Sequence, residues 1–195
     1  RWASIRAQTL SRTVNGMMYY EKALRLLANM ERLDEDTTND LMGEKFGYIV
    51  ACQVYGSMKR NQDPKAEDIE ALMNRLPHLR VAYIDNININ GAGGSIVYSM
   101  LVKSDSKGNI QEVYRVRLPG NPVLGEGKPE NQNHAMIFTR GEFLQTIDMN
   151  QEGYFEEALK IRNCLQEFAK REGPLPTTIL GLREHIFTGS VSSLA

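Results

Sequence analysis

Cysteine is scarce in this chain, and the two that occur, Cys52 and Cys164, have no companions at metal-ligand spacing. That excludes a disulfide framework or a zinc knuckle and fits a reducing compartment, with Cys52 expected as a buried thiol inside an apolar run. Long apolar runs are missing too. No stretch approaches the roughly 20 consecutive apolar residues of a membrane-spanning helix. Nor does the N-terminus read as a signal peptide, because Arg1, Arg6 and Arg12 interrupt its apolar residues. There is no excess of positive charge: 23 Lys and Arg face 24 Asp and Glu, for a formal net charge of −1. That argues against nucleic acid as a partner. No internal repeat is present, and no Gly-Lys-Ser/Thr opens a helix after a strand, so there is no Walker loop. An initiating methionine is also absent, and Leu194-Ala195 carries no stop signal. The chain is therefore expected to be a piece of something longer, and the lack of a span describes the piece.

What remains is 195 residues with 42% hydrophobic and 24% charged content, ordinary for an α/β domain that can bury a core. Residues 1–44 read as a helical segment, with Leu10, Val14, Met17, Met18, Ala23, Leu26, Leu27 and Met30 at helical spacing. Gly16 interrupts that pattern, marking a kink or a close contact. Residues 34–40 are acidic and read as a surface connection. From residue 45 the pattern becomes short, β-branched and aromatic. Residues 45–53 predict a buried strand, 64–76 a helix opened by Pro64 and stopped by Pro77, and 79–85 a second buried strand. Strand, helix, strand favours a parallel sheet. Turn residues at 90–94 and 106–109 then frame an antiparallel hairpin of 95–103 and 111–118. Residues 119–133 lack periodicity and predict a long, functional loop. Residues 143–147 read as a strand and 154–171 as one amphipathic helix ending near Gly173-Pro174.

Ligands of open α/β sheets bind beyond the carboxyl ends of the strands. Gln53, Tyr55 and Lys59 follow the first strand. Gln53 has the groups to read a base edge and Tyr55 the ring to stack on it. Asp85 ends the second strand, where it either accepts from a nucleoside N–H or hydroxyl, or simply caps the turn at Asn86. The loop Leu124-Gly125-Glu126-Gly127-Lys128 brings two glycines and a cation suited to a phosphate, and Asn131, Gln132, Asn133 and His134 follow it. A polar surface loop is the other reading. Asp148 and Asn150 offer oxygen ligands for Mg²⁺ or another divalent cation. Their alternative role is capping and charge at a helix N-terminus.

These segments are familiar. Arg1-Trp2-Ala3-Ser4-Ile5-Arg6-Ala7-Gln8-Thr9-Leu10, Val81-Ala82-Tyr83-Ile84-Asp85 and Tyr114-Arg115-Val116-Arg117-Leu118-Pro119-Gly120 resemble the catalytic region of the 1,3-β-glucan synthase (callose synthase) family. So do residues 124–134, Ile137-Phe138-Thr139-Arg140-Gly141-Glu142, residues 144–151 and residues 183–195. The resemblance implies a GT-A-like nucleotide-binding domain over residues 45–195, truncated at its C-terminal side, with a mixed sheet flanked by helices. It implies transfer of glucose from UDP-glucose to a β-1,3-glucan acceptor. The parent would be a multi-pass plasma-membrane protein whose own membrane helices adjoin this cytosolic segment, with a regulatory small GTPase as a further partner. Gln53, Tyr55 and Asp85 would lie near uridine, and Glu126, Lys128, Asn131, Gln132, Asn133 and His134 near the rest of the donor. Asp148-Met149-Asn150 stands where related synthases carry Asp-x-Asp, with Asn weakening the third position; Glu152 also departs from the Asp of many relatives. The catalytic base is expected beyond Ala195, so the isolated segment is expected not to turn over. Two other readings stand beside this one. One is a non-catalytic regulatory or scaffolding module that kept the fold; the other is a soluble phosphate-binding enzyme built on residues 125–128.

Overall fold

The computed structural model describes residues 2–88, 95–122, 128–149, 151–170 and 175–182. The chain divides into two units: Gly47–Leu144 form one, and Arg1–Phe46 with Gln145–Ala195 the other. The expected turn at residues 90–94, the stop at Gly173-Pro174 and the block 183–195 lie outside the described residues.

In the first unit the expected strand, helix, strand is present. Strand β1 (Tyr48–Ala51) is shorter than residues 45–53, and it runs parallel to β2 (Leu79–Asn88), Tyr48 opposite Leu79 and Ala51 opposite Ala82. Between them lie α4 (Tyr55–Arg60) and α5 (Pro64–Arg75), so labelled because three helices precede them in the chain. Pro64 opens α5 because its missing N–H is one a helix start leaves unpaired anyway, and the Asp63 carboxylate accepts from Lys65 N at 3.0 Å. Strands β3 (Ser95–Ser104) and β4 (Ile110–Arg117) complete a four-stranded mixed sheet in the order β1-β2-β3-β4, with both added pairings antiparallel. Gly108, at φ +83°, takes the left-handed position of the hairpin turn, where Asp105 accepts from Lys107 N and Asn109 N.

Helices cover both faces, as the continuous apolar runs of β2 and β3 require. Tyr55 and Glu70 fix α4 and α5 on the face that carries Tyr83 and Asp85. The other face carries α6 (Lys128–Met136), whose Ala135, with Phe138 just beyond it, packs on Ala82 and Leu101. Burial of each large apolar side chain in such a layer is worth about 1.5–3 kcal/mol. This helix corrects the long-loop expectation for residues 119–133, which holds no further than its start. Polar side chains at 130–134 hid the helical period, because Asn131 and His134 turn inward to backbone and to a core serine.

The second unit is helical. Helices α1 (Trp2–Met17) and α2 (Tyr19–Met30) meet at Met18, whose N–H still reaches Val14 O at 3.0 Å. Gly16 is a close contact rather than a simple kink: a Cβ on Gly153 would stand 2.8 Å from Gly16 Cα. Residues 34–40 are not a connection. Asp34 caps α3 (Glu35–Lys45), accepting from Thr37 N at 2.9 Å and Thr37 Oγ1 at 2.7 Å. Those bonds to Thr37 hold its carboxyl below its usual pKa. Residues 143–147 form no strand, and Phe143 and Leu144 lie exposed. The final amphipathic segment is two helices, α7 (Phe155–Leu159) and α8 (Ile161–Ala169), broken at Lys160. Tyr19 meets Phe155 edge-on at 6.1 Å, tying α2 to α7. Among the described residues no helix is long and apolar enough to cross a membrane.

Candidate functional site

The carboxyl end of β1 is held by one side chain. Asn131, in the first turn of α6, donates from Nδ2 to Ala51 O at 2.9 Å and accepts at Oδ1 from Gln53 N at 3.0 Å. The two bonds fix the amide's orientation, since a backbone carbonyl can only accept and a backbone N–H can only donate. Gln53 itself sits in the turn between β1 and α4, where its carbonyl accepts from Ile84 N at 3.3 Å. Its side-chain Oε1 is buried and has no donor. An unsatisfied buried acceptor costs about 1–3 kcal/mol, so this atom is one that a ligand donor would satisfy.

His134, one turn further along α6, is 4% exposed. Its Nε2 stands 3.3 Å from Asn131 Oδ1 and its Nδ1 2.8 Å from Ser99 Oγ. Because Asn131 Oδ1 accepts, the proton belongs on Nε2 and Nδ1 accepts from the serine. Burial lowers the imidazole pKa to about 4, so the ring is neutral. His134 thus joins α6 to β3 as a neutral bridge and is committed to the core rather than turned to a ligand. Gln132 is half-buried and Asn133 exposed.

Tyr55 is also committed. At 1% exposure its ring lies edge-on to Tyr83 at 5.2 Å, and its hydroxyl donates to Glu70 Oε1 at 2.7 Å. Burial first, then the Glu70 hydrogen bond and charge, push the phenol pKa far up. No ring face remains for a base to stack on. Lys59 pairs with the same Glu70 at 2.9 Å. Burial alone would raise the Glu70 carboxyl pKa, but the bonds from Lys59 and Tyr55 outweigh it and the net shift is downward.

Asp85 does not end its strand. β2 continues to Asn88, Asp85 is opposite Tyr98, and so the turn-capping reading at Asn86 falls away. Its carboxylate pairs with Arg60 at the end of α4, on the sheet face opposite α6. Gln53, Asn131 and His134 are therefore brought together, Tyr55 and Lys59 form a second group around Glu70, and Asp85 a third with Arg60. Lys128 opens α6, although its side chain, Glu126 and Asn150 lie outside the described residues. Asp148 belongs to the helical unit. It is half-buried in a turn where Asp148 O accepts from Gln151 N at 3.0 Å, beside Thr13, whose hydroxyl donates to Met149 O at 2.6 Å. Among the described residues no cluster of three or more His, Cys, Asp or Glu could hold a metal.

Two residues escaped the sequence reading. Glu130 keeps a buried Oε2 without a partner, four residues before His134 on the same helix. That i,i+4 spacing was the available signal, usable only with 128–136 recognised as helix. Arg60 is the other: it ends a short helix and its pairing with Asp85, 25 residues away, leaves no trace in the sequence.

The family of the 1,3-beta-glucan synthase component matches residues 1–195, and the chain belongs to that family. Callose synthase 9 of Arabidopsis thaliana is 55% identical over 208 aligned positions, which take in 100% of this chain and 11% of the relative. Callose synthase 10 of the same plant is 52% identical over 216 positions (100% and 11%), and callose synthase 3 is 52% identical over 234 (100% and 12%). The chain spans about a tenth of the length of these relatives.

Proposed function

We propose that this chain supplies the donor-nucleotide part of a 1,3-β-glucan synthase, a GT-A-like region that holds UDP-glucose while glucose passes to a growing β-1,3-glucan. One observation carries the reading: the buried, donorless Gln53 Oε1 at the carboxyl end of a parallel strand, the edge where α/β sheets bind ligands. The uracil N3–H is a donor of the right kind for it. Asn131 positions Gln53 by fixing its backbone, and His134 and Ser99 brace α6 behind them. Tyr55 then supports the floor through Glu70 instead of stacking on the base. Lys128, at the start of α6, is assigned to the diphosphate, where the first N–H groups of a helix add to its charge.

Asp148 and Asn150 are assigned, by their place in the family pattern, to a divalent cation such as Mg²⁺, which would neutralise diphosphate charge. In that assignment the two side chains would supply two oxygen ligands, with water and phosphate supplying the others. The parent enzyme is placed in the plasma membrane with this segment on the cytosolic side. Its carboxylate base lies in another part of the parent chain, as removal of the acceptor hydroxyl's proton requires.

UDP-glucose titration of the full-length enzyme tests the assignment. Gln53→Ala should raise KM for UDP-glucose about tenfold, one lost hydrogen bond, with kcat little changed. An unaltered KM would remove Gln53 from the donor site and the reading with it.

A further inference from the structure

Toward the other end of the sheet from Gln53, Arg80 and Lys103 stand opposite each other in the register and the charge of Arg140 reaches Arg80. Helix α6 crosses the face from the carboxyl end of β1, where Asn131 holds Ala51, to Ala82 and Leu101, where Phe138 packs. The chain beyond it carries Arg140, whose charge acts on Arg80. Arg80 stands at the amino end of β2 on this same face, with Lys103 of β3 directly opposite in the register. Its guanidinium lies over Gly47, where a Cβ would come within 2.9 Å of Nη2, so the glycine makes room for it. Arg80 is half-buried, and burial together with the Arg140 charge depresses its pKa. Among the described residues no carboxylate pairs with Arg80, Lys103 or Arg140.

This arrangement is unfavourable by itself. Like charges directly opposite in an antiparallel pair repel, and a half-buried guanidinium without a partner keeps its desolvation cost uncompensated. The chain as a whole carries a net charge of −1, so the cluster does not reflect general basicity. Guanidinium forks and an ammonium directed to the same end of one sheet face suit the oxygens of a phosphate group. We infer that Arg80, Lys103 and Arg140 form a phosphate-binding site at the end of the sheet remote from the donor nucleotide, occupied by free phosphate or by a phosphorylated lipid headgroup.

The full-length protein in detergent, with its donor site saturated by UDP, provides the test. Calorimetry with inorganic phosphate, and separately with inositol trisphosphate as a soluble headgroup, should show saturable binding. Arg80→Gln should weaken it at least about tenfold and Arg140→Gln, an exposed and structurally harmless change, by a smaller factor. Lys65→Gln, which alters a cation already paired with Asp63, should leave it unchanged. Tighter binding of the inositol phosphate marks a lipid source; equal binding marks the free ion. Without phosphate, Arg140→Gln should melt above the parent protein, since it relieves repulsion, and added phosphate should close that gap. The site is overturned by absent binding in UDP-saturated protein, or by Arg80→Gln binding as the parent does.

Discussion

At residue scale, the informative groups are those whose hydrogen bonds leave something over. Asn131 uses one amide N–H on Ala51 and its Oδ1 on Gln53 and His134, and so has a structural task. Gln53 and Glu130 each keep a buried acceptor unsatisfied, and such atoms are where a ligand finds its donors answered. His134 gives a measurable consequence. Its folded pKa of about 4 lies below the ordinary histidine value of 6.5, so between those values the unfolded chain binds more protons than the folded one. Stability should therefore rise from pH 4 to about 6.5 and level off above, with a total effect on the order of 3 kcal/mol. Urea unfolding at pH 5 and pH 7 checks this. His134→Gln should lose that part of the pH dependence, and an identical slope in the variant would show that the imidazole does not titrate as its burial requires.

Elements obey their caps and their contacts more than their composition. Residues 34–40 and 128–133 are polar enough to pass for loops, yet both become helix: Asp34 captures Thr37 N in one case, and Asn131 and His134 point into the sheet unit in the other. Residues 143–147 show the converse. They are apolar and β-prone, yet among the described residues they join no sheet, because β propensity alone makes no ladder. Where α1 passes residue 153, two glycines meet backbone to backbone, and this makes a sharp test. Gly153→Ala would place Cβ 2.8 Å from Gly16 Cα, an atom that cannot swing aside. We expect a loss of about 1–3 kcal/mol, read as a melting temperature several degrees lower. Gly181→Ala, where a Cβ meets nothing within 4 Å, should melt with the parent.

For the whole molecule, the sheet unit and the helical unit carry separate parts of the proposed chemistry, Gln53 and Lys128 in one and Asp148 in the other. Full-length enzyme is the place to test both. Lys128→Ala should reduce glucan synthesis to background with expression intact, and near-normal activity would detach the lysine from the diphosphate. Asp148→Asn should shift the magnesium requirement upward, and an unchanged magnesium response would end the metal assignment.

The order of elements in the sheet unit was legible in the sequence because it depends on local signals. Pro64 after Asp63 starts a helix, the apolar run from Leu79 makes a strand buried on both faces, and Gly108 permits one tight turn. Family membership was legible as well, since the resemblance rests on motifs spread along the chain and the family matches residues 1–195. Only tertiary structure decided which polar residues face a ligand and which brace the core. Tyr55 and His134 are chemically able to do either. Their burial against Tyr83, Glu70 and Ser99 comes from segments at least 15 residues away in the chain, and sequence spacing carries no information about such encounters. The same holds for Arg80, Lys103 and Arg140, which sheet register and the path of α6 bring into one electrostatic field.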